Sequence, residues 1–207
     1  MSAISAALKL HGVNVVGEAG KGTRAVALQR TLQPNVLLID MHFSDEHSVA
    51  IAKDIRKENP EIGVVMLVPC ADLRLLGEIH TEIPAGTKVV LKKSINNIAA
   101  LCDVISQSRL QVLNSPVMWI NGSLALSGKA LESLMSKLTN IQIQTLRLVA
   151  DGLTNAEISR IRFVSEKSVE QIVSRISQVL NVQPDPNKNM RVQLVGEYFK
   201  WIGAPRH

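Results

Sequence analysis

The chain is predicted to fold as an α/β half followed by an all-α half, and three observations carry that expectation. Short aliphatic runs alternate with helical periodicity over the first 110 residues, no strand candidate follows Leu138, and turn-forming residues cluster between the two. With 207 residues, 46% hydrophobic and 20% charged, the chain can bury a core in each of two small domains and is not disordered. Its longest uncharged stretch, Leu110 to Gly128, carries Gln111, Asn114, Pro116 and Asn121, too polar a run to cross a bilayer. The start of the chain lacks the basic region and apolar core of a secretion signal. Two cysteines, Cys70 and Cys102, are too few for a disulfide framework and fit a reducing cytoplasm. The net charge of +5 is spread along the chain without a basic arm, so it is compatible with nucleic acid without arguing for it.

In chain order, strands are expected at Asn14–Glu18, Val36–Asp40, Gly63–Val68 and Lys88–Leu91. These strands are continuously aliphatic, as in a sheet covered on both faces. Helical patterns near 21–32, 46–58, 71–80 and 94–110 separate them, which gives parallel strands with crossover helices. Residues 111–137 hold Asn114-Ser115-Pro116 and Asn121-Gly122 and read as a linker leading into a helix near 124–136. The expected domains are therefore 1–110, a linker 111–137, and 138–207.

The all-α part is punctuated by caps. Thr139…Gln142 and Thr154…Glu157 fit the reciprocal capping box, Ser165 is an N-cap, and Gly152 stands where the first helix needs a left-handed residue. Three helices follow, about 140–151, 154–162 and 165–180, with a tight turn at Arg162–Val164 before the third. In that third helix Val169, Ile172, Val173, Ile176 and Leu180 form an apolar stripe. Lys167, Gln171, Ser174, Arg175 and Gln178 lie opposite, with Ser168 and Glu170 near the helix start. An apolar back and a hydrogen-bonding front suit the major groove of double-stranded DNA. Arg160 and Arg162 supply further cations for phosphates.

The run from Leu138-Thr139 through Leu146 to Ile158, and Val164-Ser165-Glu166-Lys167-Ser168-Val169 with Ile176 and Leu180, resembles the LuxR-type helix-turn-helix. The whole chain resembles a NarL/FixJ-family response regulator. That resemblance implies a receiver-like, flavodoxin-like α/β domain with its first strand missing, an all-α DNA-binding domain, and a homodimeric transcription regulator. It also shows departures. Gln142 stands for a glutamate, Glu170 for a DNA-contacting lysine, Ile172 for a histidine and Val179 for a late basic residue. The runner-up reading is a protein-interaction or heterodimerisation module that has lost direct DNA contact, and Glu170 is its main support. A terminal helix over Lys188–Ile202, with Val192, Val195, Phe199 and Ile202 at helical spacing, can pack on its own domain or pair with its copy, and the resemblance implies pairing.

In the receiver-like half, Asp40 ends a strand and matches the phosphoryl-acceptor aspartate, and Lys92 matches the receiver lysine. The acidic pair that would hold Mg²⁺ belongs to the missing first strand, Val68 replaces the hydroxyl residue, and Val89 replaces the aromatic switch. Asp40 is therefore expected to be silent, which argues against a cognate kinase. Loss of that strand removes about four buried aliphatic side chains, on the order of 10 kcal/mol. An upstream start, a sheet closed as four strands, or a partner in the gap would each answer this. His42 and His47 beside Asp45 and Glu46 match no metal-ligand spacing, no cofactor is implied, and no nucleophile–base pairing marks an enzyme.

Overall fold

The computed structural model describes residues 3–41, 48–78, 80–95, 97–109, 115–122, 124–127, 129, 137–183 and 185–203. Two compact units emerge: residues 1–71 with 78–134, and residues 72–77 with 135–207.

The first unit is an α/β layer structure. Its elements are α1 (Ala3–Leu10), α2 (Gly22–Leu32), β1 (Val36–Asp40), α3 (Ser48–Glu58), β2 (Gly63–Val68), β3 (Lys88–Leu91), α4 (Ile98–Ser108), β4 (Met118–Asn121) and β5 (Leu124–Ala125). The sheet order is β1-β2-β3-β4-β5, parallel until the antiparallel β5. β2 and β3 are buried along their whole length, as expected of all-aliphatic strands covered on both faces. On one face Val65, Leu67 and Val90 meet Leu8 of α1 and Leu101, Val104 and Ile105 of α4. Gly63 is required there: a Cβ would lie 2.7 Å from the Ser108 hydroxyl and 2.8 Å from its carbonyl oxygen.

The structure differs from the sequence-based expectation at three places before residue 137. Asn14–Glu18 forms no strand, although Val13 and Val15 pack on the same apolar cluster. Strand propensity becomes a strand only with a ladder partner, and β1 pairs with β2 alone among the described strands. β1 is accordingly half-buried where its neighbours are fully covered. Second, the pattern at 71–80 yields 3₁₀ turns at Leu73–Leu76 and His80–Glu82, not a helix. Asp72 caps the first by accepting from the Arg74 amide, and Gly77, at φ +83°, closes it after one turn. Third, β4 and β5 extend the sheet through the expected linker. Gly122, at φ +70°, makes the turn between them. Most of the expected helix at 124–136 lies outside the described residues.

The second unit holds α5 (Asn140–Ala150), α6 (Asn155–Arg162), α7 (Glu166–Val179) and α8 (Met190–Trp201). Its core is Ile143, Leu146, Val149, Ile158, Val169, Ile176, Leu194 and Tyr198, all at 2% exposure or less. α8 is tied to the start of α6 by Arg191, whose guanidinium donates to the Asn155 side-chain oxygen at 2.6 Å and to the Leu153 carbonyl. The expected apolar face of α8 is divided. Ile202 is buried together with Leu194 and Tyr198, whereas Val195 and Phe199 are half-buried and Val192 is 68% exposed.

Candidate nucleic-acid interface

Caps define the three helices of the candidate interface. Thr139 and Gln142 form the complete box: the Thr139 hydroxyl accepts from the Gln142 amide at 3.3 Å, and the Thr139 amide donates to the Gln142 side chain at 2.8 Å. The second box is half made. Thr154 accepts from the Glu157 amide at 3.2 Å, while the Glu157 carboxylate pairs with Arg160 at 2.9 Å, so the nearby cation engages the group that would reach back. Ser165 caps α7 by accepting from the Ser168 amide at 3.1 Å. Gly152 takes the left-handed conformation at φ +84°.

These caps start α7 at one defined residue and so fix which face it presents. Val169, Val173 and Ile176 are buried, and Ile172 and Leu180 are half-buried. Lys167, Glu170, Gln171, Ser174, Arg175 and Gln178 are exposed, and Ser168 is half-buried at the cap. Lys167, Glu170 and Arg175 make no ion pair among the described residues, which leaves a row of donors facing solvent with the Glu170 carboxylate among them. The other two candidate cations are engaged. Arg160 is exposed but paired with Glu157. Arg162 is half-buried and bound to α5: its Nη1 donates to the Ile141 carbonyl and the Thr145 hydroxyl, both at 2.8 Å. Sequence reasoning missed that inward bond, and the polar Thr145 on an otherwise aliphatic inner face of α5 was its only signal.

In the α/β unit Asp40 and Lys92 come together. Lys92 forms a salt bridge with Asp40 and donates to the Met41 carbonyl at 3.2 Å. Val68 and Val89 are fully buried. No group of three or more His, Cys, Asp or Glu side chains gathers to hold a metal ion among the described residues. His42, His47, Asp45 and Glu46 lie outside the described residues. Cys70 is buried, and burial, then the charge of Asp103, pushes the Cys102 thiol above its ordinary range, so neither has the marks of a reactive cysteine.

Residues 136–187 match the luxR family of bacterial regulatory proteins. The response regulator protein VraR of Staphylococcus aureus is 28% identical over 140 residues, covering 68% of this chain. The aligned stretch spans 65% of the length of that relative. A solved structure of two RcsB dimers bound to two parallel DNAs shares the fold with a TM-score of 0.50, at 18% identity over 97% of this chain and 91% of that one. RcsB from Salmonella enterica serovar Typhimurium bound to promoter P1flhDC superposes with a TM-score of 0.49, at 20% identity over 95% and 91% of the two chains. Residues 136–187 thus form a luxR-family domain, and the chain is similar in sequence to a response regulator.

Proposed function

We propose that this chain is a homodimeric, DNA-binding transcription regulator of the response-regulator type that works without phosphorylation of Asp40. The observation that carries the reading is the outer face of α7. Lys167, Gln171, Ser174 and Arg175 stand together on a helix capped by Ser165 and backed by Val169, Val173 and Ile176. Such a helix can enter the major groove with its polar row on base edges while cations meet phosphates. Arg160 can join them, because an exposed ion pair with Glu157 exchanges readily for a phosphate.

Independence from phosphorylation draws support from the surroundings of Asp40. The positions that would carry a hydroxyl and an aromatic side chain are buried valines, Val68 and Val89. Assembly as a dimer draws on the resemblance to dimeric regulators, and Val192, 68% exposed on α8, is its candidate contact. No helix among the described residues is long and apolar enough to cross a membrane. The proposed site of action is the cytoplasmic chromosome.

A second reading, an interaction module without DNA contact, is favoured by one observation: Glu170 is exposed on the face that would meet phosphates. A gel shift of the purified protein against genomic fragments at two salt concentrations separates the two. Binding that weakens steeply with salt supports the regulator, and absence of any shift at low salt supports the module.

A further inference from the structure

We propose that Arg162 is a positioning residue: it locks the turn before α7 onto α5 and does not neutralise a DNA phosphate. This rests on the reading of α7 as the DNA-facing helix. The Arg162 Nη1 donates to the Ile141 carbonyl and to the Thr145 hydroxyl at 2.8 Å each, and Thr145 in turn donates to the same carbonyl at 2.8 Å. The guanidinium is thereby held over the first turn of a helix 17 to 21 residues away in sequence.

Two features make this node necessary. α6 is eight residues long and has one fully buried side chain, Ile158, so apolar packing alone fixes its tilt poorly. Arg162, one turn beyond Ile158, gives the helix a second attachment at its C-terminal end. Directly after it, Phe163 sits at φ +54° with its side chain 94% exposed. A left-handed aromatic residue costs energy that its own packing does not return here. The Val164 amide closes the turn on the Ser159 carbonyl at 3.0 Å. The clamp on the preceding residue then sets the direction in which α7 leaves. Lys167 and Arg175 contrast with it, facing solvent without an ion pair among the described residues.

The test uses the full chain, a pool of genomic duplex fragments and a salt series, with folding checked by circular dichroism. Arg175→Met, the phosphate-contact control, should flatten the log–log salt slope by about one per subunit. Arg162→Met should weaken binding roughly three- to tenfold, the cost of lost hydrogen bonds, with the slope unchanged. Adding Thr145→Val should recover most of that loss, because an apolar pair replaces the broken polar one. A slope that flattens in Arg162→Met as it does in Arg175→Met, with no rescue by Thr145→Val, would overturn the proposal. Failure of the unaltered protein to bind at low salt refutes the DNA-binding reading instead. Thermal unfolding then decides the node by itself: Thr145→Val should restore the melting temperature lost in Arg162→Met, and purely additive losses would overturn it.

Discussion

Replacing Glu170 with lysine converts an exposed carboxylate on the outer face of α7 into a cation. Glu170 is exposed and makes no ion pair among the described residues, so the exchange leaves the helix and its packing intact. At roughly 6 Å from a phosphate in water, one unit of charge interacts by about 0.7 kcal/mol, and the exchange alters two units. Screening at about 0.1 M salt, with a Debye length of about 10 Å, cuts the sum to about 0.8 kcal/mol, roughly a three- to fourfold gain in affinity per subunit. The log–log salt dependence should steepen by about one to two units per subunit, since one repulsion is removed and one contact added. Fluorescence anisotropy of a labelled duplex, titrated from low to high salt, reads both quantities. The gain should vanish at the high-salt end. Unchanged affinity at low salt, with an intact circular dichroism spectrum, would refute the placement of α7 in the groove and leave the interaction module as the better account.

Three further outcomes follow from the same packing. Ile158→Ala should cost about 2–5 kcal/mol, because the side chain is fully buried at the centre of the helical unit; chemical denaturation would show the loss, and a change under 1 kcal/mol would contradict that placement. Phe163→Gly should leave the protein as stable or raise its melting temperature, since relief of the left-handed strain offsets the greater freedom of glycine in the unfolded chain; a clear loss of stability would show that the aromatic ring packs. Val192→Asp should shift sedimentation from dimer towards the 22.6 kDa monomer, and an unmoved dimer would place the interface elsewhere.

The helical half was legible because its signals are local. Thr139, Gly152, Thr154 and Ser165 act through neighbours three or four residues away, and the 3.6-residue period of Val169, Val173 and Ile176 sets the buried face. What escaped depended on distant partners. Asn14–Glu18 has strand composition but no ladder, and Met118–Asn121 has turn residues around it yet finds the free edge of β3. The role of Arg162 escaped for the same reason: a surface cation and a clamp look alike until a carbonyl 21 residues upstream is brought beside it. Lys92 beside Asp40 was foreseen through family resemblance, whereas the salt bridge between them is a property of the folded sheet.

The central claim is a regulator that binds DNA through α7 whether or not Asp40 is modified. The most direct measurement is a binding isotherm of the full chain on genomic duplex fragments, taken before and after incubation with a small phosphodonor and Mg²⁺, with the mass of the protein recorded alongside. The account predicts salt-dependent binding in both samples, superimposable isotherms and no phosphoryl adduct. A stoichiometric adduct together with an affinity raised tenfold or more would contradict it.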